Sequence, residues 1–92
     1  MSTHRTNDAS GDAEALALAA LAATLTDERR ARRFLDLTGM DADALRAGAG
    51  DRSLLAGLLA FLEAHEPDLV AVAEAIDSKP ESLIAARREL ER

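Results

Sequence analysis

The strongest constraint on what this chain can fold into is an order of features that occurs twice, with Leu54 standing 38 residues after Leu16. An Ala/Leu-rich segment from Leu16 to Leu25 meets an acidic break at Asp27-Glu28. A short amphipathic stretch ending in Phe34-Leu35-Asp36-Leu37 follows, then a turn, then Asp43-Ala44-Leu45. The second half runs from Leu54 to Leu62, breaks at Glu66-Pro67-Asp68, continues through Val72-Ala73-Glu74-Ala75, turns, and resumes at Glu81-Ser82-Leu83. Each half reads as a three-helix unit.

Pairing residues 16–48 with 54–86 gives 33 pairs with six identities: Leu16/Leu54, Leu21/Leu59, Ala22/Ala60, Glu28/Glu66, Leu45/Leu83 and Ala47/Ala85. Ala and Leu supply 36 of the 92 residues, so roughly four identities arise from composition alone, and the shared order of breaks and turns is the better sign of a repeat. Two readings stay open: a duplicated unit, or amphipathic Ala/Leu helices that resemble one another.

Strand-forming residues are nearly absent, with two Val, two Ile, two Phe and no Tyr or Trp. Ala, Leu, Glu and Arg dominate, and these lose little side-chain freedom in a helix. The expected fold is all-α: a compact bundle of about six short helices, as two pseudo-repeated three-helix units around two central helices. The expected organisation is a disordered tail over Met1–Gly11 and one helical domain over 12–92. Only 22 large apolar side chains are available, counting Leu, Ile, Val, Phe and Met40. A core so thin makes a homodimer an expectation.

Particular residues mark the helix ends. Asp12 is placed to cap the first helix, whose bulky stripe is Leu18, Leu21 and Leu25. No charged side chain falls between Ala15 and Leu25, so that helix is expected to be covered on both faces. Thr26 is placed to cap the second helix, with Ala31, Phe34, Leu35 and Thr38 inward and Gly39 ending it in a left-handed conformation. Asp41 caps a short third helix anchored by Leu45. Asp51 caps the fourth, which carries Leu54, Leu55, Leu58, Phe61 and Leu62 along one side. Gly57, Ala60 and Ala64 on the same helix are small enough to admit a close neighbour. Pro67 opens the fifth helix, and Ser78 with Glu81 has capping-box spacing for the sixth.

The chain carries a formal charge of −6 and no cysteine. Thiolate chemistry and thiolate metal sites are excluded, and nucleic acid and anionic membranes are disfavoured as partners. The Leu16–Leu25 run is shorter than the roughly 20 residues a bilayer requires, and acidic rather than basic residues precede it, unlike a secretory signal. The expected location is cytoplasmic. His65 stands alone beside Glu66, short of the three or four donors of a metal site. Ser53, Ser78 and Ser82 lack base–acid partners, and Gly48-Ala49-Gly50 lacks a phosphate-binding fingerprint. No catalytic, cofactor or metal residue is assigned, and the chain is not expected to be an enzyme.

One candidate surface remains: Arg29, Arg30, Arg32 and Arg33, which helical spacing places together on the side away from Ala31, Phe34 and Leu35. As a docking face it would take an acidic protein partner, a phosphate, or the backbone of a nucleic acid in the alternative of a nucleic-acid-associated regulator. As a solvated face it would be laced by Glu28–Arg32 and Arg32–Asp36 pairs. Leu37-Thr38-Gly39-Met40-Asp41 with Leu45-Arg46 resembles a small alphaproteobacterial family known only as a domain of unknown function. So do Asp27-Glu28-Arg29 with Arg33-Phe34-Leu35, Asp51-x-x-Leu54 leading to Phe61-Leu62 and Glu66, and Pro80-Glu81 with Ala86-Arg87. The resemblance spans roughly Ala13 to Leu90 and implies no activity or cofactor. Asp77 departs from it, standing where a glycine is expected to close the fifth helix. The functional expectation is a small helical protein-interaction module.

Overall fold

A computed structural model describes the backbone of residues 5–92 and the side chains from residue 11 onward. Among the described residues there are six helices: α1 Arg5–Thr26, α2 Glu28–Thr38, α3 Ala42–Ala47, α4 Arg52–Glu63, α5 Glu66–Ala75 and α6 Pro80–Leu90. The all-α bundle expected from composition is what forms. Within the tail expected at Met1–Gly11, residues 1–4 lie outside the described residues. Helix α1 starts at Arg5, so Asp12 lies in its interior and caps nothing. Extending a helix from an existing turn adds one hydrogen bond per residue fixed, which lets α1 continue through residues of modest helix propensity.

The first helix buries its alanines. Ala13, Ala17, Ala20 and Thr24 follow one another at four-, three- and four-residue spacing and, with Leu21, form the inward face. The Thr24 hydroxyl donates to the Ala20 carbonyl at 2.8 Å, so no polar atom is stranded there. By contrast Leu18 and Leu25 are 47% and 38% exposed. The expected Leu18/Leu21/Leu25 stripe therefore splits, and α1 is covered on one face only. Side chains this short let a neighbouring backbone come close, and the most extensive helix contact is α1 with α6, followed by α4 with α6 and then α1 with α4.

Helix α6 presents Leu83, Ala86 and Leu90 inward, and α4 buries Leu55, Ala56, Leu58, Leu59 and Leu62 over a broad face. The small residues expected to admit a helix against α4 do not: Gly57, Ala60 and Ala64 are exposed, and a side chain built at Gly57 would meet only open space. The two halves also pack unequally. Helix α6 lies against both α1 and α4, whereas α3 touches the core chiefly through the fully buried Leu45. Leu21 and Leu59, one of the six identical pairs, are both core residues.

Polar side chains fix the helix ends. Asp27, not Thr26, caps α2 by accepting from the Arg30 N–H at 3.0 Å; the Thr26 hydroxyl turns back to the Ala23 carbonyl at 2.7 Å. Asp41 and Asp51 cap α3 and α4 as expected, accepting from the N–H groups of Ala44 and Ser53 at 2.8 and 2.9 Å. Gly39 ends α2 at φ 72°. The turn after α5 is closed by Asp77 at φ 56°, with the Ser78 N–H reaching the Ala73 carbonyl at 2.8 Å. Aspartate tolerates that left-handed conformation better than most residues, so the fold keeps the turn without the glycine. Lys79 occupies the cap position of α6 without a side-chain hydrogen bond, so the Ser78–Glu81 capping box is not formed.

Arg52 ties three helices together. Its Nη2 donates to the carbonyls of Glu89 and Leu90 at 3.0 and 3.2 Å, and its Nη1 to Glu14 at 3.3 Å. A guanidinium thereby meets two carbonyls at the end of α6, of which that of Glu89 also accepts from the Arg92 N–H. Arg87 of α6 pairs with Glu63 of α4 and Glu91.

Two substitutions on one helix separate packing from propensity. Leu59→Ala should cost about 2–5 kcal/mol through the cavity it leaves. Gly57→Ala, on the open side of α4, should add about 0.8–1 kcal/mol. Urea titrations followed by circular dichroism measure both.

Candidate arginine surface on helix α2

The amphipathic spacing of α2 turns Phe34 fully inward, where its ring meets Phe61 of α4 edge to face at 5.1 Å and 63°. Arg30, one turn before Phe34, and Arg33, three residues on from Arg30, lie along the border of this apolar contact. There they meet Asp68 in the first turn of α5. Asp68 is buried, with 6% of its surface exposed. Its Oδ1 accepts from Arg30 Nε at 3.0 Å, and its Oδ2 accepts from Arg33 Nη2 and lies 3.1 Å from His65 Nδ1. The Arg33 guanidinium also sits 5.7 Å from the centre of the Phe61 ring.

The four arginines expected on one solvent-facing patch therefore divide. Arg30 is largely withdrawn from solvent, with 17% of its side chain exposed, because a buried carboxylate needs charge-assisted donors. Arg33 is shared between Asp68 and the surface. Arg29 and Arg32 remain exposed. Among the described residues neither makes an ion pair or a side-chain hydrogen bond, so the Glu28–Arg32 and Arg32–Asp36 pairs expected of a solvated face are not formed. His65, which stands alone beside Glu66 in the sequence, is the cap residue of α5 and faces Asp68. The pattern of apolar residues carried no sign of Asp68, which looked like one more acid at a helix start. Its only sequence signal is its register, 38 residues after Arg30.

On the outer side of α2, Arg29, Arg32, Arg33 and Asp36 border a shallow depression of about 300 Å³. Continuing along the line Arg29–Arg33, four residues at a time, comes Leu37, 71% exposed. It borders a second depression with Arg33, Asp36 and Phe61. The face is thus basic toward the start of α2 and apolar toward its end. Among the described residues no three His, Cys, Asp or Glu side chains are grouped to hold a metal ion, and no helix is long and apolar enough to cross a membrane.

Asp27 adds an acid-sensitive contact at the edge of this surface. Its carboxyl is held below the ordinary 3.8, chiefly by the Arg30 N–H, against an opposing effect of burial and with help from the Arg30 and Arg29 charges. A depressed folded-state pKa means that its contribution is complete above pH 3.8 and fades as the pH falls below it. Asp27→Asn, which keeps a capping oxygen, should therefore differ from wild type above that pH and converge with it in acid, as read by thermal melts across pH. Asp68→Ala should destabilise by about 3 kcal/mol because it strands Arg30. Denaturant midpoints measure that loss.

A family model described as "Protein of unknown function (DUF3572)" matches residues 10–92. No curated protein and no solved structure matches the chain. The matched span takes in the whole arginine surface and the core beneath it, and the chain belongs to this DUF3572 family.

Proposed function

We propose that the protein is a non-catalytic cytoplasmic interaction module that docks an acidic protein segment along the outer face of α2. One observation carries the reading. In a chain of net charge −6, Arg29 and Arg32 stand exposed without an ion pair, although Glu28 and Asp36 each lie one helical turn from Arg32 and the Asp27 carboxylate lies near Arg29. Two guanidinium groups without local acceptors offer bidentate sites for carboxylates. The fixed pair beneath them, Arg30 and Arg33 on Asp68, holds α2 in place while the surface is occupied. Leu37 and the edge of Phe61 give the same segment an apolar contact beyond its charges. Complementary charge of this kind favours fast encounter and partner choice more than raw affinity.

The double variant Arg29→Gln/Arg32→Gln tests it without touching the Asp68 cluster. Its stability should fall by no more than about 1 kcal/mol, since exposed charges contribute little to folding. Affinity capture from the native cells with mass spectrometry should recover a protein partner with the wild type, lose it with the double variant, and lose it with added salt. A recovery abolished by nuclease would point to a nucleic-acid-associated regulator instead. Unchanged capture by the folded double variant would reject the surface.

A further inference from the structure

Helix α1 leaves a second, uncharged face uncovered. Gly11, Ala15, Leu18, Ala22 and Leu25 are all exposed and follow one another at alternating four- and three-residue steps. That alternation is the a/d spacing of a helix seam that packs against another helix, with knobs of one side fitting holes of the other. From Ala15 onward small and large residues alternate along it, so a second copy running the opposite way would set leucine against alanine at Ala15, Leu18, Ala22 and Leu25. Beside the seam, Leu18, Leu21, Ala22 and Leu25 join Leu45, Ala49 and Arg46 of the α3 region in an apolar groove of about 170 Å³.

We infer that this face is the interface of an antiparallel homodimer in which α1 packs on α1 about a two-fold axis, with the partner's α1 bordering the groove beside α3. Charge selects both the occupant and its direction. Arg46 is the one charged residue lining the groove, and its contact within the chain is an exposed pair with Asp43 at 3.3 Å. Glu14, whose carboxylate also accepts from Arg52 at 3.3 Å, lies on the same flank of α1, one and two turns before Leu18 and Leu21. A two-fold axis perpendicular to the helices keeps like flanks on the same side and reverses their direction. It therefore brings Arg46, near the Leu25 end, toward the partner's Glu14. A parallel pair would instead leave the two Arg46 side chains at the same level. The opposed helix dipoles of the antiparallel pair agree with that direction. A single helix face with its flanking groove falls at the small end of stable interfaces, so the dimer is expected to dissociate on dilution. This surface is separate from the outer face of α2.

Size exclusion with light scattering on the full chain should give a dimer at about 100 µM that shifts toward monomer near 1 µM, with a melting temperature that rises with concentration. Leu18→Glu/Leu25→Glu should be monomeric throughout with an unchanged helical spectrum, because both side chains are exposed. Arg46→Glu should raise the dissociation constant several-fold, and the Arg29→Gln/Arg32→Gln protein should dimerise normally. Since the chain has no cysteine, Ala15→Cys mixed with Leu25→Cys should give a disulfide-linked heterodimer, while Leu25→Cys alone should cross-link poorly. A monomeric mass for the wild type at every concentration overturns the proposal. So does a dimer that survives both glutamates, or ready self-cross-linking of Leu25→Cys, which marks a parallel pair.

Discussion

The distance at which α1 can be approached governs the rest of the bundle. Its inward face carries methyl groups at Ala13, Ala17 and Ala20 where most helices of this size would carry leucine. Two helices meeting over alanine lie toward the near end of the usual 8–10 Å separation. In that space a single leucine layer on α6 and a broad leucine face on α4 suffice to fill the interior. A chain with so few large side chains can bury a core only if its backbones draw together, and α1 makes that possible. Enlarging any of these alanines would push α6 outward and undo contacts on both α1 and α4.

Polar groups then fix the arrangement that the apolar contacts leave open. Asp68 gathers Arg30 and Arg33 from α2, so the register of α2 against α5 is set by two directional contacts instead of by packing alone. Arg52 does the same at the other end, between α1, α4 and α6. Buried ion pairs contribute modestly to net stability because desolvation offsets attraction, but a wrong register that strands one partner is costly. The structural use of Arg30 and Arg33 is what sets Arg29 and Arg32 apart, since the guanidinium groups of these two form no ion pair within the fold.

Much of the architecture was legible in the sequence. Helical composition, the Asp41 and Asp51 caps and the Gly39 terminus depend on local chemistry that a few neighbouring residues settle. Leu21, Leu58, Phe34 and Leu45 were readable as core because periodicity marks a face. What remained hidden depends on the partner helix. Whether α1 turns its leucines or its alanines inward is decided by what can approach it, and both faces are apolar. The same ambiguity placed the close approach at Gly57 and Ala60 instead of Ala17 and Ala20. The four arginines looked equivalent because nothing local reveals an acid 38 residues downstream of Arg30 that two of them must satisfy. The two halves each supply three helices in sequence, but α6 and α3 hold different places in the packing.

The pairing of the first helix with the sixth bears on how the protein folds during synthesis. Short-range helices form within microseconds, but the largest helix contact joins α1 to an element made after the other five. Until α6 has been made, the alanine face of α1 has lost its principal cover and the leucines of α4 are half dressed. The nascent chain can hold helices, yet it has no finished interior to protect them. Folding is therefore expected to be deferred and then abrupt, with the arrival of α6 converting a loose string of helices into a cooperative unit.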